Sequence, residues 1–274
     1  MILLDGKKIS IEIAQELKVK VSALNFKPKL AIVSVGERAD SISYINRKIE
    51  YGKVIGVDTD LVKFSENVSE EEVINSILKL NDDASVNGII VQLPLPNNLN
   101  KDKIINAINY KKDVDGLTDF NISKLVKDEK AIVPATARGV MTLLNLNNIE
   151  VSGKSVVVVG RSLLAGKSIA LLMSNADATV TICHSKTINL REKTKEADIL
   201  VCAMGKPKFI NKDYVKEGQI IVDVGISFMD ESIAGDVDFE GVKGKVGAIS
   251  PVPGGVGPMT VTSLFKNLLD TIER

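Results

Sequence analysis

The sequence contains little of the material from which metal sites, disulfide frameworks and nucleic-acid surfaces are built. Its 274 residues include one histidine, two cysteines and no tryptophan, and aromatic residues make up 4% of the chain. Lysine plus arginine and aspartate plus glutamate number 35 each, so the formal net charge is zero. Without a basic excess there is no electrostatic case for a nucleic-acid partner, and no cluster of metal ligands stands out.

The cysteines and the hydropathy pattern bear on the compartment. Cys183 and Cys202 each end a predicted buried strand, so we expect two core thiols rather than a disulfide, as suits a reducing cytoplasm. Residues 1–8 meet charge too early for a signal peptide, and no apolar run is long enough to cross a bilayer. We therefore expect a cytoplasmic protein without a membrane partner.

Apolar, strand-like runs alternate with helical patterns along the chain. This order predicts an α/β protein with parallel sheets and helical crossovers. The length favours two domains or one large one. The predicted strands cover 30–35, 57–64, 87–96, 155–159, 178–183, 197–203 and 219–225; the predicted helices cover 9–24, 40–55, a segment capped by Ser69, 139–147, 166–173 and 259–272. Prolines and glycines predict that 251–258 is neither helix nor central strand.

The valine strand at 155–159 is followed by Gly160 and then by a helical segment. Such a turn aims backbone N–H groups at one point, which suits a phosphate. The full G-x-G-x-x-G pattern is absent, because Ser162 stands where the second glycine would be. On this motif alone, a nucleotide site and an ordinary α/β turn are equally supported.

The end of the next predicted strand favours one cofactor over another. Binders of NAD place an acidic residue there for the ribose hydroxyls. This chain has His184, Ser185 and Lys186 instead, facing Arg161 from the first turn. Two cations and a hydroxyl suit a 2′-phosphate, so NADP is favoured over NAD. The histidine is more simply an ordinary strand-end side chain than a general base or a metal ligand.

Three features of the first half of the chain carry possible chemistry. Tyr44 and Lys48 are spaced i, i+4 on a predicted helix, so they share one face. Gln92 ends a predicted central strand, where α/β sheets place ligands, and Asp115 lies in an Asp-Gly loop. Each has an ordinary explanation when taken alone: a solvated pair, a loop hydrogen bond, and turn chemistry.

Together with segments of the second half, these features resemble the bifunctional methylenetetrahydrofolate dehydrogenase/methenyltetrahydrofolate cyclohydrolase family. The resemblance includes Tyr-Ile-Asn-Arg-Lys at 44–48 and the unusual Pro-Val-Pro-Gly-Gly-Val-Gly-Pro-Met-Thr at 251–260. The matching segments, in the family's order, are 44–48, 91–96, 113–116, 134–139, 160–162, 183–187, 223–226, 235–237 and 251–260.

The resemblance implies oxidation of 5,10-methylenetetrahydrofolate by NADP⁺ and hydrolysis of the methenyl product to 10-formyltetrahydrofolate. It implies that Lys48 is catalytic, that Gln92 orients it, that Tyr44 stacks on the aminobenzoyl ring and that Asp115 binds the pterin. Further implied substrate contacts are Leu93, Pro253, Gly254 and Gly255. The implied cofactor contacts are Gly160, Arg161, Ser162, Ser185, Gly205, Pro207, Asp223, Gly225 and Ile226.

The resemblance also implies a homodimer and two domains. Residues 1–137, completed by a returning helix at 259–274, would form the folate-binding catalytic domain, and 138–258 a Rossmann-like NADP-binding domain. Ala135, Ala137, Ser168 and Ser227 depart from the family pattern, which leaves the ratio of the two activities open. An NADP-dependent dehydrogenase for another metabolite and a non-catalytic dinucleotide-binding protein remain alternatives.

Overall fold

The computed structural model describes residues 1–229 and 232–273 and divides the chain into two compact α/β units. The six-stranded unit contains Met1–Ser10 and Thr136–Thr260. The three-stranded unit contains Ile11–Ala135 and the chain from Val261 onward. Each is named here for its main sheet.

The six-stranded unit is built on a wholly parallel sheet in the order β1-β11-β8-β7-β5-β6. Its strands are β1 (Ile2–Leu3), β5 (Ser155–Val159), β6 (Thr179–Cys183), β7 (Ile199–Cys202), β8 (Ile220–Asp223) and β11 (Ala248–Ile249), with an antiparallel hairpin of β9 (Ser227–Met229) and β10 (Ser232–Ala234). Its helices are α6 (Ala135–Leu146), a π-helical turn (Leu163–Lys167), α7 (Ser168–Asn175), α8 (Leu190–Glu196) and α9 (Phe239–Val242). The valines of β5 are almost fully buried, as expected for a central parallel strand.

The three-stranded unit has a parallel sheet in the order β3-β2-β4. Its strands are β2 (Lys29–Val35), β3 (Asp58–Phe64) and β4 (Gly88–Val91). Its helices are α2 (Ala39–Ile55), α3 (Glu70–Asp82), α4 (Lys101–Asn106) and α5 (Asp119–Val126), together with most of α1 (Gly6–Ser22) and α10 (Val256–Ile272). Strands β2 and β4 pack against α3 in one buried cluster.

The predicted fold class is confirmed, and the longer predicted strands are present with bounds shifted by a few residues. The Ser69 cap of α3 is present as well, since its side chain accepts the Glu72 N–H at 3.2 Å. The two-residue strand β1 was missed. It pairs with β11 and so joins residues 1–10 to the six-stranded unit, whereas the predicted boundaries had placed 1–137 in the other domain.

The prediction that 251–258 contains no helix is wrong. Helix α10 begins at Val256, so Pro258 lies in its first turn. A proline is tolerated there because the N–H groups of the first turn have no partner within the helix. Helix α6 likewise begins at Ala135, four residues before the predicted start. The last residue of the predicted range 259–274 lies outside the described residues.

Candidate active site

A buried lysine and a glutamine meet in the three-stranded unit. Lys48, on the inner face of α2, is only 7% exposed, and Gln92 directly follows β4. The Lys48 Nζ donates a hydrogen bond to Gln92 Oε1 at 2.8 Å. Gln92 Nε2 in turn donates to the Leu93 carbonyl at 2.7 Å, which directs Oε1 towards the lysine. Two residues separated by 44 positions in sequence therefore form one polar pair.

Burial shifts the pKa values of Lys48 and of Asp115, whose charge acts on the lysine. It lowers the pKa of Lys48, and the charge of Asp115 opposes that change. Burial also raises the pKa of Asp115 to about 6, against the lowering influence of Lys48 and with a raising contribution from Asp113. Because burial lowers its pKa, the Lys48 amine gives up its proton more readily than an exposed lysine does, which suits acid–base work.

Asp113 holds the loop that carries Asp115, a part that the sequence reasoning missed. Its side chain is 1% exposed. Oδ1 accepts the Gly116 N–H at 2.9 Å, and Oδ2 accepts the Thr118 N–H at 2.8 Å and Asn121 Nδ2 at 2.9 Å. An aspartate two residues before an Asp-Gly pair is typical of such side-chain-to-backbone turns, so the signal was in the sequence.

Tyr44 lies one helical turn before Lys48 and is partly buried. The Arg47 guanidinium carbon is 5.7 Å from the centroid of its ring. Burial raises the pKa of the Tyr44 hydroxyl, so the phenol stays neutral at physiological pH. Tyr44 thus presents an aromatic ring with a polar hydroxyl on the face of α2 that carries Lys48.

A pocket of about 270 Å³ opens at the carboxyl end of β5 in the six-stranded unit. It is lined by Val159, Gly160, Arg161, Ser162, His184, Ser185, Leu190, Ala203, Met204, Lys206 and Phe209. Four predicted cofactor residues, at 160–162 and 185, are therefore brought together. The second cation at this pocket is Lys206, from the turn after β7, whereas the sequence had suggested Lys186.

The described residues that line the pocket include two cations and two serine hydroxyls but no carboxylate. This donor set fits the phosphates of a dinucleotide. His184 also lines the pocket, and its Nδ1 accepts the Lys186 N–H at 3.1 Å. Gly205 and Pro207 lie in the same exposed turn as Lys206.

Asp223, at the end of β8, turns its carboxylate to the backbone. Oδ1 accepts the N–H groups of Gly225 and Asp236, each at 3.0 Å, and Oδ2 accepts that of Val237 at 2.9 Å. Asp223 therefore organises the segment that leads to Ile226. A direct cofactor contact by Asp223, Gly225 or Ile226 stays a prediction.

The glycine-rich loop before α10 also uses some of its own donors. The Gly255 N–H donates to the Pro251 carbonyl at 2.7 Å, and the Gly254 carbonyl accepts the Lys7 N–H at 2.8 Å. The Gly255 N–H is therefore engaged within the loop itself. Substrate contacts by Pro253, Gly254 and Gly255 stay predictions.

The structure places three of the residues that depart from the family pattern. Ser168, where the family often has proline, is fully buried, and its hydroxyl donates to the Leu163 carbonyl within the π-helical turn. Ala135 and Ala137 are buried in the first turn of α6.

Within residues 1–229 and 232–273, no group of three or more histidine, cysteine, aspartate or glutamate side chains is placed to hold a metal ion. None of the helices found there is both long enough and apolar enough to cross a membrane.

A parallel sheet with a glycine turn and a basic, hydroxyl-lined pocket, together with a second unit that buries a lysine, defines a two-unit α/β dinucleotide-dependent enzyme. Comparison with known families agrees. The catalytic-domain model of the tetrahydrofolate dehydrogenase/cyclohydrolase family matches residues 4–115, and its NAD(P)-binding-domain model matches residues 134–274. The chain belongs to this family.

Full-length relatives support the assignment. The chain is 43% identical to the bifunctional protein FolD of Clostridium tetani, covering 98% of this chain and 99% of that one. It is 46% identical to the Clostridium botulinum protein of the same name, covering 99% and 98%. The family's two activities are those of an NADP-dependent methylenetetrahydrofolate dehydrogenase and a methenyltetrahydrofolate cyclohydrolase, and this chain has both.

Solved structures give the same result. The Campylobacter jejuni bifunctional FolD superposes with a TM-score of 0.97 at 40% identity, covering 100% of this chain and 99% of that one. The Trypanosoma brucei dehydrogenase–cyclohydrolase, solved with NADP cofactor and an inhibitor, has a TM-score of 0.96 at 34% identity, covering 100% and 98%. The two alternatives, another metabolite's dehydrogenase and a non-catalytic protein, are set aside by these matches.

Proposed function

We propose that Lys48 is the proton-exchanging residue of this enzyme, with Gln92 as the residue that orients it. The observation that carries the proposal is the 2.8 Å hydrogen bond from the buried Lys48 Nζ to Gln92 Oε1. A lysine held in this way cannot turn to solvent, and burial makes its neutral form accessible.

In the hydrolysis, water adds to the methenyl carbon of 5,10-methenyltetrahydrofolate. The neutral amine of Lys48 accepts a proton from the water as the new C–O bond forms. The C–N5 bond then breaks, N5 takes that proton from Lys48, and the added hydroxyl loses its own proton as it becomes the formyl carbonyl. The product is 10-formyltetrahydrofolate, with one proton released overall. Lys48 thus serves first as base and then as acid, a role that needs a pKa near the working pH.

Substrate binding is assigned to Tyr44, Asp115 and Leu93. The aromatic ring of Tyr44 offers a flat face to the aminobenzoyl group. The Asp115 carboxylate can accept the paired N–H donors of the pterin's amino group and ring nitrogen. Pro253, Gly254 and Gly255 complete the proposed substrate set.

The cofactor is assigned to the pocket at Gly160, with Arg161 and Lys206 for phosphates and Ser162 and Ser185 as hydroxyl partners. When bound, NADP⁺ supplies a hydride acceptor for the substrate's one-carbon bridge. The chain's contribution to that step is to hold and orient the reactants. Gly205, Pro207, Asp223, Gly225 and Ile226 are proposed to frame the same cofactor.

A two-part assay tests this proposal. Methylenetetrahydrofolate with NADP⁺ should give methenyl absorbance and NADPH, and methenyltetrahydrofolate supplied alone should lose its absorbance faster than in buffer. If Gln92→Leu left the second rate unchanged, the orienting role of Gln92 would be wrong.

The affinity for folate should fall in acid. The pKa of Asp115 is raised to about 6, so its carboxylate is ionised above that pH and protonated below it. Only the ionised form accepts both pterin donors, so binding is strongest well above pH 6 and weakens as the pH falls through 6. We expect the KM for folate to be about tenfold higher at pH 5 than at pH 8. Steady-state kinetics across this range should show a flat, weaker profile in Asp115→Asn; an unchanged slope would assign the titration to another group.

Arg161→Ala should weaken NADP⁺ far more than NAD⁺. The guanidinium is exposed at the pocket and suits a 2′-phosphate, which NAD⁺ lacks. We expect the Kd for NADP⁺ to rise about 10–100-fold, as for loss of one charge-assisted phosphate contact. Arg191→Ala is the matched control, since that exposed arginine stacks on Tyr214 at 5.2 Å. Equal losses for both cofactors would remove Arg161 from 2′-phosphate recognition.

We also propose a cytoplasmic homodimer that binds neither nucleic acid nor membrane. The balanced charge and the two buried free thiols, Cys183 and Cys202, support this proposal. A mass in solution of about one chain would contradict the dimer.

A further inference from the structure

A buried aspartate lies behind one wall of the nucleotide pocket. Asp236 is 0% exposed. Its Oδ2 accepts the N–H groups of Met204 at 2.5 Å and Gly205 at 3.2 Å, and its Oδ1 accepts that of Lys206 at 2.6 Å. Three successive backbone donors therefore converge on one carboxylate.

These donors belong to the turn that supplies part of the pocket. Met204 and Lys206 both line it. Convergent N–H groups of this kind commonly form an anion-binding concavity for a ligand. Here the Asp236 carboxylate occupies the concavity. The turn therefore contributes side chains to the pocket, whereas its three N–H groups are bonded to Asp236.

Asp236 is itself held in place. Its backbone N–H donates to Asp223 Oδ1 at 3.0 Å, and its backbone carbonyl accepts the Ile210 N–H at 2.9 Å. Gly225 lies so close to the Asp236 carboxylate that a Cβ there would overlap it. The turn at 204–206 and the segment at 225–226 are thus both fixed against the same pair of acids.

The charges of this pair are met by backbone dipoles. Burial raises the pKa of Asp236, and the N–H groups of Met204, Lys206 and Gly205 oppose the change. Burial also raises the pKa of Asp223 to about 7, with a further raising contribution from Asp236. Keeping two acids buried together is costly, which points to a positional requirement at this spot.

We propose that Asp236 is a positioning residue for the dinucleotide: it fixes the 204–206 turn as a wall of the pocket and, through Asp223, the 225–226 segment beside it. It touches no cofactor atom. This inference rests on the proposed assignment of the pocket to NADP.

Asp236→Asn tests the proposal. Asparagine keeps one acceptor oxygen and turns an NH₂ group towards backbone donors, so at least one N–H of the turn loses its partner. We expect the Kd and the KM for NADP⁺ to rise about 10–100-fold. Hydrolysis of methenyltetrahydrofolate consumes no cofactor, so its rate should stay within about twofold of the wild type, which a merely unfolded variant could not achieve.

Asp238→Asn is the matched control. Asp238 lies two residues further on and caps α9 by accepting the Gly241 N–H at 3.3 Å. It should leave the affinity for NADP⁺ unchanged. An unchanged Kd in Asp236→Asn as well would overturn the proposal.

Amide hydrogen exchange on the unaltered enzyme gives a second test that does not depend on a variant folding. The N–H groups of Met204, Gly205 and Lys206 should be protected without NADP⁺ and little changed when it is added. Rapid exchange without cofactor and protection only with it would show that they bind the ligand instead, and would overturn the inference even if Asp236→Asn failed to fold.

The two levels of the proposal can be told apart. If Arg161→Ala also leaves NADP⁺ binding unchanged, the pocket assignment itself is wrong. If Arg161→Ala weakens binding and Asp236→Asn does not, only the positioning role is wrong.

Discussion

Lys48→Met should reduce the hydrolysis of methenyltetrahydrofolate by about 10²–10⁴-fold, the usual contribution of a positioned general acid–base group. Methionine has a similar length and suits a side chain that is 7% exposed, so the fold should survive. Oxidation with NADP⁺ should fall by less, because hydride transfer moves no proton and needs Lys48 only to hold the substrate.

The control for this prediction is Lys53→Met. Lys53 lies on the same helix, in its last turn, and is exposed. Stopped-flow loss of methenyl absorbance should give a wild-type rate for Lys53→Met and a near-background rate for Lys48→Met. Full hydrolysis by Lys48→Met would remove the lysine from the mechanism and leave its buried hydrogen bond as a structural feature.

Gly160→Ala should cost the six-stranded unit about 3 kcal/mol or more. The backbone there has φ +134, and a Cβ would stand 2.8 Å from the Ala203 carbonyl carbon and closer still to its oxygen. An unfavourable backbone conformation and a steric overlap with main chain therefore add. We expect the Tm to fall by about 6–12 °C and the affinity for NADP⁺ to fall with it.

Gly153→Ala separates the two contributions. Gly153 also has a positive φ, +71, but a Cβ there meets nothing within 4 Å. It should cost only the backbone part, about 1–2 kcal/mol, and leave NADP⁺ binding intact. If thermal unfolding showed the same Tm loss for both variants, close contact at the β5 turn would not be what requires glycine.

The positions of Lys48 and Gln92 in the fold could each be predicted from local rules, whereas their pairing could not. Helical spacing placed Lys48 on a face with Tyr44, and the end of a strand is where α/β sheets present side chains. The resemblance then supplied the expectation that the two residues act together, and the 2.8 Å hydrogen bond shows their contact.

The role of Asp236 could not be found in the same way, although 235–237 is among the matching segments. Its carboxylate contacts backbone N–H groups about thirty residues away, and backbone donors leave no side-chain pattern to detect. The second cation of the pocket, Lys206, was missed for a similar reason. Proximity to the end of β6 suggested Lys186, whereas the pocket draws its second cation from the turn after β7.

The sequence failed to predict β1 and the start of α10 for another reason. Strand β1 has two residues, too few for any periodicity, and its partner is β11, where Ile2 pairs with Ala248. The start of α10 at Val256 was hidden by prolines and glycines that are unfavourable inside a helix but acceptable in its first turn.

The pairing of β1 with β11 has a consequence for how the chain is made. During translation, β1 cannot pair until β11 has been made, some 246 residues later. Most of the three-stranded unit is synthesised between these two strands. The three-stranded unit is also incomplete until α10 has been made, because Tyr51 stacks on Phe265 and Asn267 donates to the Val114 carbonyl at 2.8 Å. A premature stop just before Val261 would therefore leave the sheet of the six-stranded unit intact and remove the part of α10 that belongs to the three-stranded unit.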